Sequence, residues 1–420
     1  MLFNTVHFLI FFVIVTLAYF SLGWSGRWRL LLLASCYFYM IFKPIYFLIL
    51  LSTIIIDYIA GILLENEQNA VKRKLLLVIS LISNIGILVY FKYFNFLNNS
   101  LTEVLSWASM TNPIKALDIL LPVGLSFHTF QAMSYTIEVY RGNHKAERHF
   151  GIYALYVMFY PQLVAGPIER PQNVLYQFHQ FHQFDWEKVK SGLFLIAFGL
   201  FKKVVIADRL AMLVDHCYNQ PENKNGLSLL LATFFYTFQI YCDFSGYSEI
   251  ALGTARVMGY ELMENFHSPY FSGSISEFWR RWHISLSSWL RDYLYISLGG
   301  NRKGKFRTYI NLFLTMLLGG LWHGASWKFV FWGVLHGLAL AVERFFGMFI
   351  KLPKNYFVRT VQVFLTFHFV AFCWLFFRAK DFDTALQIMR NIGDLEFDPQ
   401  QWMVIIQGYK NVFWLMLAGY

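Results

Sequence analysis

The sequence predicts an all-α polytopic membrane protein, and three observations carry that prediction. Of 420 residues, 57% are hydrophobic and only 14% are charged, where a soluble domain carries about a quarter charged. The mean hydropathy is positive, +0.44. Residues 2–22, 75–91, 151–168 and 360–377 contain no Lys, Arg, Asp or Glu, and a bilayer span takes about 20 mostly apolar residues. These runs are continuous rather than alternating, which selects helices over the strands of a barrel, the two ways a backbone is satisfied in lipid. No tandem repeat, low-complexity tract or separate soluble domain interrupts them. Residues 1–420 read as one membrane domain, with N-terminal spans over 1–115, a motif-bearing core over 116–347 and C-terminal spans over 348–420.

In chain order, residues 1–22 lack a basic leader and a small-residue cleavage site, so they read as a first span rather than a removed signal peptide. Residues 30–64 are mostly apolar, and the break at Lys43-Pro44 predicts two spans joined by a tight turn. Arg27 and Arg29, then Lys72, Arg73 and Lys74, form short basic loops that the positive-inside rule places in the cytoplasm. Residues 75–91 would cross again, and residues 98–116, nearly uncharged, would form an outside loop. The next span returns to the basic stretch Arg141–Lys145. The net charge of +10 lies in such loops, so it marks membrane topology and not nucleic-acid binding.

Helix breakers interrupt several apolar runs. Pro122 and Gly124 stand in one, and Pro161, Gly166, Pro167 and Pro171 in the next. Proline removes a backbone donor, so the carbonyls it frees must find protein or water partners. Asp243 and Glu249 lie in the otherwise apolar 227–256, where a buried carboxylate needs a partner. The arginines of the later basic block are the expected partners. Cys36, Cys217, Cys242 and Cys373 show neither CxxC nor Cys/His spacing, so no metal site and no disulfide framework is read.

The stretch from Ser274 to Trp327 holds the candidate chemistry. Read as one helix at about 100° per residue, 277–293 places Phe278, Trp279, Trp282, Leu286, Trp289, Leu290 and Tyr293 on one aromatic arc. His283 follows on the seam, then Ser287, Arg280 and Arg291 on a basic face. Glu277 and Arg281 have the i,i+4 spacing of an ion pair. With Asn301, Arg302 and Lys303 in the next loop, this is either an interfacial helix meeting lipid phosphates or one wall of a site for an anionic ligand. Residues 308–341 carry Lys328 as their one formal charge. There, Gly319, Gly320 and Gly324 surround Leu321-Trp322-His323, and His336 follows in VLHGL. Glycines admit a close backbone or a ligand beside His323.

EFWRRWHISLSSWLRDYLYISLGGNRKG and LTMLLGGLWHGASWKFVFWGVLHG together resemble the membrane-bound O-acyltransferase (MBOAT) family. LPVGLSFHTFQAMSYTIEVYRG, YPQLVAGPIERP and YCDFSGYSEIALGTARVMGYELMENFHSPY extend the likeness over nearly the whole chain. The resemblance implies about 10 to 12 transmembrane helices, with re-entrant and interfacial helices, around a central funnel. It makes His323 and His283 the catalytic pair, with His323 as general base near the throat. Arg280, Arg281, Ser287, Arg291, Trp322, Asn301 and Arg302 would bind substrate, with no metal involved. It further implies a multi-pass protein of the bacterial inner membrane that takes acetyl from a cytoplasmic thioester, acetyl-CoA, without a bound cofactor. A separate extracytoplasmic acetyltransferase would complete transfer to an exopolysaccharide such as alginate, or to peptidoglycan. Broken helices and intramembrane carboxylates would also suit a proton-coupled carrier, although no internal similarity between halves is evident.

Overall fold

The computed structural model describes residues 1–394 apart from 120, 123, 165, 350 and 351, together with 399, 402, 403, 407, 410 and 414. The described residues form helices and connecting segments with no strand. They group into two compact units, Met1–Ala197 with Ser248–Met263 and Phe198–Tyr247 with Glu264–Tyr420. Among the described residues, five helices can cross a bilayer by length and composition: Ile45–Asn66, Ala70–Trp107, Gly226–Val257, Trp327–Phe346 and Tyr356–Arg378. The apolar segment expected beyond residue 400 lies largely outside the described residues.

The first unit holds α1 (Val6–Ser21), α2 (Trp24–Met40), α3 (Ile45–Asn66), α4 (Ala70–Leu88), α5 (Phe94–Trp107), α6 (Leu125–Arg141), α7 (Phe150–Met158), α8 (Pro171–Phe178) and most of α9 (Trp186–Leu200). The turn at Lys43-Pro44 separates α2 from α3 as the sequence predicts. α3, α4 and α6 pack on one another around the buried Asp57. That carboxylate accepts hydrogen bonds from Ser80 Oγ (2.5 Å) and from Asn84 Nδ2 (2.8 and 3.0 Å). Polar groups inside a membrane bundle are satisfied across helices in this way.

Two expectations for this unit are corrected. Residues 98–107 are not loop: α4 runs through the π-helical turn Val89–Tyr93 directly into α5. The reason is polar. Asn95 exchanges two hydrogen bonds with the backbone of Leu117, and Asn98 donates to Ile114 O, so α5 pairs the backbone of the segment that follows it. Residues 151–168 are not a span either, since α7 stops at Met158. The residue before a proline disfavours helix, and Tyr160 precedes Pro161. The carbonyl of Tyr156, left without a helical donor, accepts instead from Gln131 Nε2 (2.6 Å) and Gln162 Nε2 (2.7 Å). Pro171 opens α8, where its missing N–H costs nothing.

The second unit holds α10 (Asp208–Tyr218), the first part of α11 (Gly226–Val257), α12 (Ile275–Arg281), α13 (Ile284–Trp289), α14 (Lys305–His323), α15 (Trp327–Phe346), α16 (Tyr356–Arg378) and α17 (Phe382–Gly393). Asp243 on α11 does not meet the later arginines. It pairs with Lys203 Nζ (2.6 Å), which also holds Asp208 (2.7 Å), and its side chain is 42% exposed rather than buried. The core of this unit is aromatic, built on Phe278, Trp282, Trp332 and Trp374.

Candidate active site

The helix expected over 277–293 is broken at its centre. α12 ends at Arg281, Trp282 is extended, and His283 takes a left-handed conformation (φ 44°, ψ 56°) before α13 begins. A non-glycine residue there costs about 1–2 kcal/mol and marks sites the surrounding fold holds in place. The holder is Asn265, 2% exposed. Its carbonyl accepts from the Ile284 N–H (2.9 Å), and its Oδ1 accepts from the Ser285 N–H (3.2 Å) and lies 3.4 Å from His283 Nδ1. The break turns His283 inward, 1% exposed, edge-on to Phe244 at 4.6 Å. It is thus not on a seam between an aromatic and a basic face. Burial, and after it the His323 imidazole, hold His283 well below the ordinary imidazole range, so it is neutral at pH 7.

α12 is anchored at its start by a reciprocal cap. Ser274 Oγ accepts from the Glu277 N–H (3.1 Å), and Glu277 reaches back to the Gly273 N–H (2.9 Å). Glu277 also pairs with Arg281 at 2.8 Å, as its spacing predicts, and with Arg359 of α16 through both oxygens at 2.7 and 2.9 Å. The Arg359 hydrogen bonds draw its carboxyl down to about 2.

His323 is the last residue of α14, and Gly324 leaves the helix in an extended conformation. The glycines before it serve the fold first. A Cβ on Gly320 would lie 2.3 Å from Phe329 O and 3.0 Å from Gly333 Cα, and one on Gly333 would lie 2.5 Å from Met316 O. The space they open is filled by the backbone of α15, which packs closely on α14. His323, half-buried, is left facing rings: Trp322 at 5.0 Å, Trp332 at 5.2 Å and Phe377 at 5.2 Å. Trp322 in turn lies 6.1 Å from His283, so one indole neighbours both histidines.

His336, one turn beyond Trp332 on α15, belongs to the same block. Its ring is 4.7 Å from Trp332 and 5.1 Å from Trp279, and Trp279 Nε1 donates to His336 Nδ1 at 3.3 Å. An indole nitrogen only donates, so Nδ1 must be the accepting nitrogen and the ring proton sits on Nε2. Trp279 also lines a pocket of about 440 Å³. Of the residues expected to bind substrate, Arg280, Ser287, Arg291 and Asn301 line this pocket together with Arg344. Arg281 and Arg302 do not; Arg281 is turned to Glu277, and Arg302 is exposed on the turn after the π-helical segment Leu290–Tyr295. Trp322 sits with the histidines instead.

The profile of the MBOAT, membrane-bound O-acyltransferase, family matches residues 147–382. The chain is 43% identical over 390 residues to the probable alginate O-acetylase AlgI of Pseudomonas aeruginosa, covering 92% of this chain and 73% of that protein. The chain belongs to the membrane-bound O-acyltransferase family. Further similar proteins are the peptidoglycan O-acetyltransferase of Helicobacter pylori, 35% identical over 94% of this chain and 80% of that protein, and the teichoic acid D-alanyltransferase of Bacillus subtilis, 29% identical over 62% and 69%. This MBOAT protein is a multi-pass membrane O-acyltransferase, and the carrier reading gives way.

In MBOAT terms the matched region spans both histidines and the whole ring block. Sequence reasoning missed three contributors. Asn265 stands in ENFHSPY, and its capping carbonyl gave no periodic signal. Trp332 and Trp374 read as ordinary apolar residues, and nothing short of the folded packing brings α16 to α15.

Proposed function

We propose that this chain takes acetyl from a thioester donor, acetyl-CoA, on the cytoplasmic side of a bacterial inner membrane and passes it on for O-acetylation of an extracytoplasmic polysaccharide such as alginate. A separate extracytoplasmic acetyltransferase completes the transfer to the polymer. The observation that carries the chemical reading is the position of His323, an imidazole at a helix end beside Trp322 and Trp332, with the buried His283 also beside Trp322. The 43% identity to an alginate O-acetylase supports acetyl as the acyl group. The 35% identity to a peptidoglycan O-acetyltransferase supports peptidoglycan as the second reading of the acceptor.

In this reading His323 takes the proton of an acceptor hydroxyl as its oxygen attacks the thioester carbonyl carbon. The C=O electrons move to oxygen, then return as the C–S bond breaks, and the leaving thiolate takes the proton from His323. Imidazole is suited to both transfers because its ordinary pKa of about 6.5 lies near working pH. Neutral His283 orients the reacting groups from beside Trp322. Arg280, Arg291 and Arg344 hold the donor's phosphates in the pocket that Trp279 lines.

The test is thiol release from acetyl-CoA by the purified chain in nanodiscs, with an oligosaccharide supplying the acceptor hydroxyl. His323→Ala should lower kcat by about 10²–10⁴ while thermal stability is kept. Wild-type rates in His323→Ala would overturn the base assignment. Acetyl retained on the denatured chain after one turnover would replace direct transfer with a covalent relay.

A further inference from the structure

The ring block around His323 contains a second feature that acyl transfer by His323 does not by itself explain. Trp332, Trp374 and His336 are each at most 1% exposed. Trp332 Nε1, Trp374 Nε1 and His336 Nε2 have no hydrogen-bond partner among the described residues. All three nitrogens carry a proton: the indoles always do, and His336 does at Nε2 because Nδ1 accepts from Trp279. Trp332 touches both of the others, 4.7 Å from His336 and 5.7 Å from Trp374, and lies 5.2 Å from His323. Buried donors are almost always paired, and an orphaned one is destabilising. Three in one contacting block call for an acceptor that the described residues do not supply.

We propose that the indole N–H groups of Trp332 and Trp374, with the Nε2–H of His336, form the binding site for the acyl carbonyl oxygen. They would stabilise the oxyanion that develops on it beside His323. This rests on the acyl-transfer reading given above. The chemistry of the donor set selects the ligand. A buried water normally makes about three hydrogen bonds and must place its own two hydrogens, here among aromatic rings. A carbonyl oxygen only accepts. As the hydroxyl oxygen bonds to the carbonyl carbon, the C=O electron pair moves to that oxygen, and preorganised donors in a dry site favour this charge far more than water does. When the pair returns, the C–S bond breaks and the sulfur leaves with the proton held by His323. Trp279 acts one step removed, as a positioning residue that fixes the tautomer of His336.

The experiment compares thiol release from acetyl-CoA, with an oligosaccharide supplying the acceptor hydroxyl, by the full chain in nanodiscs with Trp332 or Trp374 replaced by Phe, and by 3-benzothienylalanine. The second substitution keeps the two-ring shape and removes only the N–H donor. Each benzothienylalanine variant should lose about 10²-fold or more in kcat with KM changed by less than about 3-fold, the pattern of a contact made in the transition state. A packing role predicts loss on Phe substitution and wild-type kcat with benzothienylalanine, and that result overturns the site while leaving acyl transfer standing. Because the isosteric side chain preserves volume, the test remains decisive if the Phe variants do not fold. Absence of thiol release from the wild-type chain would overturn the acetyl-CoA reading, and this site with it.

Discussion

Trp279 donates its indole N–H to His336 Nδ1 at 3.3 Å and also forms part of the wall of the pocket that holds Arg280, Arg291 and Arg344. One side chain therefore borders both a cationic pocket and the aromatic block in which His323 sits, since Trp279 is 5.6 Å from Trp332 and Trp332 is 5.2 Å from His323. That arrangement is what a phosphate-bearing thioester requires, with charge kept in a solvated pocket and the reacting carbonyl in a dry one.

Arginines on the pocket side should govern binding and not chemistry. Arg280 and Arg344 are exposed and line the pocket. Replacing either with Ala removes charge-assisted hydrogen bonds of about 1.5–3 kcal/mol each, so KM for acetyl-CoA should rise about 10- to 100-fold with kcat nearly unchanged. Added salt should weaken binding in the wild-type protein more than in the Arg280→Ala/Arg344→Ala double variant. A fall in kcat at constant KM would place these arginines in the chemical step.

His283 combines a backbone role with a side-chain role, and the two can be separated. Its left-handed φ of 44° costs nothing for glycine. Both His283→Gly and His283→Ala open a cavity at this buried position, but only Ala keeps the backbone strain, so His283→Gly should be at least as stable as His283→Ala. Both variants should lose thiol release to the same extent if the imidazole acts in transfer. If His283→Gly releases thiol at the wild-type rate, the residue is there to make the turn.

Much of the fold is legible in the sequence, and the exceptions have physical causes. Residues 45–66 and 356–378 form long uninterrupted helices because nothing local opposes an apolar run of that length. The break at His283 could not be read from helical periodicity, because every residue from Glu277 to Tyr293 is compatible with helix. The hydrogen bonds that turn the chain come from Asn265, eighteen positions upstream of His283. The same distance effect hides the block formed by Trp279, Trp332, His336 and Trp374, which three separate helices assemble. His323 was legible from its setting of glycines, yet Gly320 accommodates the backbone of α15, Gly324 the ring of Phe329 and Gly319 the side chain of Leu290.

The α12 cap gives a pH-dependent signature outside the spans. Arg359, foremost, draws Glu277 down to about 2 from an ordinary 4.5. A depressed carboxyl contributes its full stability above the unfolded value and loses it as pH falls toward the folded one. Protection of the amides at the start of α12 against hydrogen exchange, corrected for intrinsic rates, should thus be flat from pH 7 to about 5 and fall between about 4.5 and 2. Glu277→Gln should lower protection at neutral pH and remove the fall. An unchanged acid profile in that variant would assign the transition to another carboxylate.

The close crossing of α14 and α15 yields the last prediction. A methyl group on Gly320 meets backbone, Phe329 O at 2.3 Å and Gly333 Cα at 3.0 Å, and neither atom can swing aside as a side chain would. Gly320→Ala should therefore force the helices apart and destabilise the protein by about 1–3 kcal/mol, the usual range for overpacking. Gly333→Ala, which meets Met316 O at 2.5 Å, should do the same. The two should not add, because helices parted by one methyl group already have room for the other, so the double variant should fall short of the sum by about 0.5 kcal/mol or more. Since His323 ends α14 three residues after Gly320 and faces Trp332 on α15, thiol release should decline with the same non-additivity. Strict additivity in unfolding measurements would show that the two glycines serve independent contacts.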